Sequence, residues 1–518
     1  MSCGPVAGIE TELKLRVPAA QWPRLLASPL LGAFAAEKEL QDTYYDTPSR
    51  LLRRQGMAYR VRHEDRRWVQ TLRGEARLSS GLHRRVETGS PLADGQPRPQ
   101  GLPATAERAG LNAALGDEGL APVMLLRVRR ILRRAAPARG IHIEIACDRG
   151  SIRAGVRRER VSELELQLKS GPVEALFNLA ARLVAAYGLS LEHRSRVERG
   201  YDLADAVVVR PVKAGAPPVT AAMDGQALCR AVIASTLAQV HTNGVGVLQH
   251  DDPECLHQLR IGLRRLRCAL DLFAPLPGIA LERESAVLRG VASGLGAARD
   301  WDVLVGDILP RVFRSANRRP HGERLIAACK GARASAWRKT NKLIKSTSYN
   351  LTAIALGRYL ADPQPGLMPE QGARDIAARI LAACHARVLR RGRKLRTLDD
   401  ADLHRLRIAV KKLRYALEFF SPLFPPQPIE AQRRSLSGLQ DILGEISDAA
   451  QILPQLEHAH RFCRSRGLRW PRAAARAVLD WQQARAQSQR GKLAAAWHQF
   501  RQAPQPWRRA GAGGHPSP

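Results

Sequence analysis

The stretch IETELKLRV, residues Ile9–Val17, alternates charged and apolar side chains. Side chains on a strand point to opposite faces in turn. Glu10, Glu12 and Lys14 therefore share one face, and Thr11, Leu13 and Leu15 take the other, which is apolar enough for a core. The same alternation recurs in MAYRVRHE from Met57, RRWVQTLRG from Arg66, LLRVRRILRR from Leu125, IHIEIACD from Ile141 and SELELQLK from Ser162. Gly, Pro, Asp and Ser separate these runs, as turns require. Helical patterns interrupt after Pro18 and over about Val173–Tyr187, and residues 88–105, rich in Pro and Gly, read as a loop. The expected fold is an α+β domain built on an antiparallel β-barrel. Closure would turn the charged faces towards one lumen.

The pattern changes after residue 205. Residues 207–221, VVVRPVKAGAPPVTA, mix prolines with small residues and read as a linker. Beyond them Leu and Ala recur at helical spacing with almost no strand signal. HQLRIGLRRLRCAL from His257 returns as HRLRIAVKKLRYAL from His404, 147 residues on. Each copy is followed by an LG-x-x-x-Asp element, Leu295–Asp300 and Leu443–Asp448. Two copies of one unit imply an all-α bundle with an internal two-fold repeat. The expected boundaries are a barrel over 6–205, a linker over 206–222, a helical domain over 223–500 and a disordered basic tail over 501–518.

Of 518 residues, 82 are Lys or Arg and 48 Asp or Glu, a formal charge of +34. Residues 1–200 carry 33 basic against 22 acidic residues, and residues 201–518 carry 49 against 26. Self-repulsion on this scale calls for a screening polyanion. Nucleic acid, an anionic membrane and polyphosphate are the candidates. The eight cysteines lie far apart with no CxxC pairing, which fits a reducing compartment and argues against a zinc site or disulfide framework. The N-terminus has no apolar signal region, and no run of eighteen apolar residues occurs. A cytoplasmic protein is expected.

At about 100° per residue, His257, Arg260, Arg264 and Arg267 fall within an arc of roughly 80°. Leu259, Leu263, Leu266 and Leu270 lie opposite, and Arg265 flanks the stripe. The second copy presents His404, Arg407, Lys411, Lys412 and Arg414. A solvated helix face usually mixes Glu among its cations. No acidic residue lies between His257 and Cys268 or between His404 and Tyr415. Base-reading modules place Asn, Gln and apolar contacts among their cations, and single-strand binders add aromatics. With little of either, the stripes suit a phosphate chain without bases. These residues, with LGAARDWDVL at 295–304, resemble a CHAD domain, the conserved-histidine helical domain, over about 223–500. The resemblance implies binding of inorganic polyphosphate by both stripes. Lys411-Lys412, where the first copy has Arg264-Arg265, keeps charge but loses bidentate geometry.

Charge also recurs on the strands. Arg60 and Arg62, Arg73, Arg85 with Glu87, Arg127 and Arg129, Glu144, and Glu163 with Glu165 follow Glu10, Glu12 and Lys14. Such groups can pair as salt bridges. Alternatively the carboxylates hold Mg²⁺ or Mn²⁺ while the cations cradle phosphate. The ExExK run, Tyr44-Tyr45-Asp46-Thr47, Tyr59-Arg60-Val61-Arg62, Gln70-Thr71-Leu72-Arg73, Glu163-x-Glu165 and Ser195-Arg196 before Gly200-Tyr201 resemble the CYTH domain of triphosphate tunnel metalloenzymes, over about 6–203. That family folds as an eight-stranded tunnel and acts on triphosphates. The resemblance implies Glu10, Glu12, Glu144, Glu163 and Glu165 as metal ligands, supported by Glu87. It implies Lys14, Arg60, Arg62, Arg73, Arg85, Arg129 and Arg196 on the substrate, and Glu10, Glu12 and Lys14 as the catalytic set. Arg73 and Arg196 stand where the family commonly has Lys, and Gly89 where a second acidic residue is frequent. The implied function is a metal-dependent inorganic triphosphatase, cleaving tripolyphosphate to pyrophosphate and phosphate, with a polyphosphate-binding second domain. The alternatives are a non-catalytic polyphosphate scaffold, or an adenylate cyclase or nucleoside triphosphatase of the same family. No specific nucleic acid and no membrane is expected as partner, and association with polyphosphate granules is.

Overall fold

The computed structural model describes residues 7–74, 77–79, 81–115, 118–277, 279–314, 319–361 and 372–508. Ten strands form in the first part: β1 (Ala7–Arg16), β2 (Ala33–Asp46), β3 (Ala58–Glu64), β4 (Arg67–Arg73), β5 (Arg77–Ser79), β6 (Leu82–Leu92), β7 (Ala121–Ala135), β8 (His142–Ala154), β9 (Arg157–Ser170) and β10 (Ser190–Leu191). The order β1-β9-β8-β7-β2-β3-β4-β6 closes because β6 returns to pair with β1. Eight antiparallel strands thus ring one interior, with β5 and β10 as short additions on β6 and β1. The expected loop over 88–105 begins later than its composition suggested. β6 keeps pairing with β4 as far as Leu92, which lies opposite Trp68.

Alternation decides what each face does. Outside, Leu13, Leu15, Ile143, Ile145, Leu164 and Leu166 pack under the helix Val173–Tyr187, against Leu176, Phe177, Leu183 and Val184. A second outer cluster joins Tyr59, Val61 and Leu72 to Leu102 and Leu111. Inside, the character changes along the barrel. Leu40, Leu126, Val128, Ile152 and Val161 make an apolar floor, met by Tyr201 from the helix Arg196–Ala204. Beyond it the inward side chains are charged.

By contacts the chain forms two compact units, Met1–Val209 with Lys345–Pro363, and Arg210–Ile344 with Gln364–Pro518. The helix Thr347–Ala361, which lies in sequence between the two basic repeats, therefore belongs with the barrel. Its Ala353 and Ile354 join the core under the helix Val173–Tyr187.

The second unit is helical. The basic helices Pro253–Phe273 and Asp400–Phe420 are 21 residues each and keep the repeat offset from end to end. Even their caps correspond: Asp252 accepts the Glu254 and Cys255 N–H groups, and Asp399 accepts that of Asp402. Each packs along the helix before it, Gly225–His250 or Ala373–Arg391. The proline-rich segment is not a free linker from Arg210 onward. Asn243 takes both the N–H and the carbonyl of Val212, at 3.0 Å each. The expected tail also starts later, since the last helix runs to Gln502 and Trp507 is buried beside His385. Residues 509–518 of that tail lie outside the described residues.

Candidate functional site

The polar part of the barrel interior is built as rings of paired ions. On β1, the Lys14 Nζ lies 2.5 Å from Glu12 and 3.6 Å from Glu165 on β9. Asp42 on β2, wholly buried, accepts from Arg62 at 2.7 and 2.9 Å and from Arg60 at 3.4 Å. Arg60 also reaches Thr71 and Glu87, and Arg73 donates to Glu87 at 3.0 Å. Across the barrel Asp148 does for Arg130 what Asp42 does for Arg62, accepting at 2.8 and 2.6 Å. Arg196 enters from the first turn of its helix, donates to Glu163 and Asp148 and pairs with Glu165 at 3.0 Å. A capping box fixes that turn: Ser195 accepts from the Glu198 N–H while Glu198 accepts from the Ser195 N–H.

Electrostatics sorts the carboxylates. Against the penalty of burial, Arg196, Arg199 and Lys14 hold Glu163 below the ordinary carboxylate range. Lys14 and Arg196 likewise hold Glu165 well below it. Glu10 is the exception: burial and the adjoining Glu87 carboxylate raise it. Glu10 and Glu87 are in hydrogen-bond contact, and so are Glu12 and Glu165. Like charges this close repel unless a cation stands beside them, and here Lys14 serves Glu12 and Glu165 while Arg73 serves Glu87.

Of the expected barrel residues, Glu10, Glu12, Lys14, Arg60, Arg62, Arg73, Glu163, Glu165 and Arg196 face this interior together. Glu144 shares their face but pairs with Lys169 at 3.3 Å, two inward positions along β8 from Asp148. Arg129 is a correction. It is half exposed on the outer wall and pairs with Glu37. The inward arginine of β7 is Arg130, because inward positions run through Leu126 and Val128. The side chain of Arg85 lies outside the described residues. Asp42 and Asp148 were missed, although Asp148 shares the parity of Glu144. Among the described residues no three metal-binding side chains already converge.

The helical unit holds a second charged centre. Arg264 on the first basic helix and Lys411 on the second lie close enough to repel, as do Arg407 and Arg414 with Lys411. Burial and these neighbours push the Lys411 ammonium down to about 7, with Asp448 opposing. On the first helix, burial and Arg299 push His257 down to about 4. The two LG-x-x-x-Asp elements serve the cluster symmetrically. Arg260 donates to the Ala292 carbonyl and lies near Asp300; Arg407 donates to Ser447 at 2.7 Å and Asp448 at 2.9 Å. The buried Nε atoms of Arg264, Arg267, Arg407 and Arg414 have no hydrogen-bond partner among the described residues. His404 reaches Ser447 at 3.4 Å, and Lys412 is half-buried near Cys268 and Cys384. Arg265 is the second correction. It is 1% exposed, donates to Gln239 and the Gly215 carbonyl, pairs with Glu418 at 2.8 Å and lies over the Phe419 ring. It holds the bundle together rather than facing a ligand.

Residues 8–201 match the family model of the CYTH domain, and residues 231–457 match that of the CHAD domain. The chain is a CYTH domain followed by a CHAD domain. The inorganic triphosphatase of Haemophilus influenzae (strain ATCC 51907 / DSM 11121 / KW20 / Rd) is 33% identical over 164 residues, 31% of this chain. The match spans 45% of that relative, so the chain covers under half the length of the curated protein it resembles. The crystal structure of the CHAD domain from the plant Ricinus communis matches with a TM-score of 0.51 at 26% identity, covering 57% of this chain and 98% of that one. A putative adenylyl cyclase from Hippeastrum, described as revealing a dominant triphosphatase activity, matches with a TM-score of 0.27 at 19% identity, covering 36% of this chain and 93% of that one. Among the described residues no helix is long and apolar enough to cross a membrane.

Proposed function

We propose that the barrel hydrolyses tripolyphosphate to pyrophosphate and phosphate with a divalent cation, and that the helical unit binds inorganic polyphosphate. The observation that carries the reading is the pairing of carboxylates, Glu10 with Glu87 and Glu12 with Glu165, beside Lys14, Arg60, Arg73, Arg130 and Arg196. Hard cations such as Mg²⁺ and Mn²⁺ take carboxylate oxygens and bridge them to substrate phosphates. The donor set fits: Glu10, Glu12, Glu87 and Glu165 offer hard carboxylate oxygens side by side. Glu10, Glu12, Glu87 and Glu165 would hold a divalent cation, which would supply charge neutralisation and a water of lowered pKa.

The chain's own residues do the positioning. Asp42 and Asp148 fix Arg62, Arg60, Arg130 and Arg196 before substrate arrives, so their guanidinium groups lose little freedom on binding. A triphosphate would replace Glu87 and Glu165 as the acceptor of Arg60, Arg73 and Arg196, which would leave both carboxylates available as metal ligands. Preorganised positive charge then stabilises the transferring phosphoryl group, which asks little covalent chemistry of the protein. Lys14, released from Glu12, takes a phosphate oxygen. Glu163 stays with Arg196 and Arg199, so its part is to hold Arg196.

In the helical unit the partly buried cations of both stripes, which outnumber the carboxylates Asp300 and Asp448 beside them, support an extended phosphate chain as ligand. The cytoplasm, and polyphosphate granules within it, are where such a chain would be met. The deciding experiment measures phosphate, pyrophosphate and cyclic AMP separately from tripolyphosphate and ATP, with Mg²⁺ or Mn²⁺. Phosphate plus pyrophosphate from tripolyphosphate, abolished by Glu10→Ala, is expected. Binding without turnover under every divalent cation would leave a scaffold, and cyclic AMP from ATP would leave a cyclase.

A further inference from the structure

The short strand β10 is an edge, and its outward N–H groups need acceptors if they are buried. Leu191 pairs with Leu15 of β1, and the next residue, Glu192, donates its N–H to the Lys14 carbonyl at 2.9 Å. The Leu191 N–H points the other way and meets the Asn350 Oδ1 at 2.9 Å. Asn350 is itself buried, and its Nδ2 donates to the Ser346 carbonyl, which fixes the amide. Its backbone belongs to the helix Thr347–Ala361, seated on the barrel through Ala353 and Ile354.

The segment after β10 leads straight into the anion site. Glu192 accepts from the Arg194 N–H at 3.2 Å, Ser195 caps the next helix, and Arg196 is the first residue of that helix. Residues 191–195 are therefore clamped between β1, at the residue that carries the lysine of the site, and Asn350. The Asn350 contact thus adds to the holds that Arg16 keeps on Glu192 and Asp202 on Arg194 in the stem that carries Arg196.

We propose that Asn350 is a positioning residue for the barrel's anion site, acting through the Leu191 N–H on the segment that sets Arg196. The proposal rests on the triphosphate reading of that site. It gives a residue placed between the two polyphosphate-type repeats a part in binding at the barrel.

The test uses the full-length chain with Asn350→Leu, Arg196→Gln and the double variant. Tripolyphosphate affinity is measured by calorimetry, KM and kcat by phosphate release, and folding by thermal unfolding. Asn350→Leu should raise Kd and KM about ten-fold with a smaller change in kcat, since displaced binding groups lose geometry before they lose charge. The double variant should bind no more weakly than Arg196→Gln alone, because residues acting through one group are not additive. Asn350→Asp keeps the acceptor but loses the donor to the Ser346 carbonyl, and should bind more tightly than Asn350→Leu though less tightly than wild type. A lowered unfolding midpoint with unchanged Kd and KM, or additive losses in the double variant, overturns the proposal. Should Asn350→Leu fail to fold, Asn350→Ala removes the acceptor without adding bulk and carries the same expectation. A wild-type chain that binds tripolyphosphate without releasing phosphate overturns the hydrolase reading while the Kd comparison still decides Asn350. A wild-type chain that does not bind it overturns both.

Discussion

If the helical unit binds polyphosphate as proposed, the surroundings of Lys411 should make that binding sensitive to pH. Burial comes first among the causes that push the lysine to about 7, followed by Arg407 and Arg264, and Asp448 only partly compensates. A phosphate chain laid across the stripe reverses the sign of the local field and returns Lys411 towards an ordinary lysine value near about 10.4. Binding therefore takes up a proton wherever free Lys411 is neutral. At pH 8 about nine free chains in ten lack that proton, so uptake should be about 0.9 per site. Between pH 6 and pH 8.5 the protonated fraction falls from about 0.9 to about 0.03, which weakens apparent affinity by up to about 30-fold. The assay is calorimetry with long-chain polyphosphate in buffers of different ionisation enthalpy, the long chain keeping its own terminal groups a small fraction of the phosphate. Lys411→Arg, matching the arginine of the first repeat, should flatten the dependence. Uptake near zero at pH 8 in the wild type, or an equal slope in Lys411→Arg, would refute this account. The sign for folding is the opposite one: a lysine depressed in the folded chain binds fewer protons there than when unfolded. Without ligand, its destabilising effect is full below pH 7 and fades as pH rises from about 7 towards about 10.4.

Further substitutions test the corrected assignments. Arg129→Leu should change stability by no more than about 0.5 kcal/mol and leave tripolyphosphate binding intact, since its pair with Glu37 is exposed. Arg130→Met leaves Asp148 with one arginine fewer and should destabilise the barrel by about 2–3 kcal/mol in denaturant melts while raising KM. In the bundle, Arg265→Met should lower stability by about 3 kcal/mol at nearly unchanged polyphosphate affinity, whereas Arg264→Met should weaken affinity more than stability. Gly200→Ala would set a Cβ 1.6 Å from the Met124 sulfur, so the barrel floor must repack, at about 1–3 kcal/mol by thermal unfolding.

Much of this was legible in the sequence. The alternation in IETELKLRV and SELELQLK sets Glu10, Glu12, Lys14, Glu163 and Glu165 on one wall, and the offset between His257 and His404 sets the two basic helices. The misassignment of Arg129 has a physical cause. In LLRVRRILRR both parities carry Leu and Arg, and a rule that charged faces turn inward fails where the barrel floor is apolar. Leu126 and Val128 are inward because Tyr201 and Ile152 meet them there, and a local pattern does not show that. Arg265 was misread for a related reason: its helix offers it to the flank of the stripe, and only Gln239, Glu418 and Phe419 from other segments make that flank an interior. Asp148 was within reach, two inward steps past Glu144 and Ala146. The allegiance of the helix Thr347–Ala361 was not, because an amphipathic pattern says that a helix packs but not on what.

That helix bears on the order in which the chain can fold. Synthesis runs from the N-terminus, and domains generally form as their residues emerge. All ten strands have been made by Leu191, yet the core over the helix Val173–Tyr187 is still without Ala353 and Ile354. The first basic helix must leave the ribosome before the barrel receives its last layer. A nascent barrel therefore waits with an apolar face uncovered through the synthesis of more than a hundred further residues, and a gene cut between the two halves would make that wait permanent.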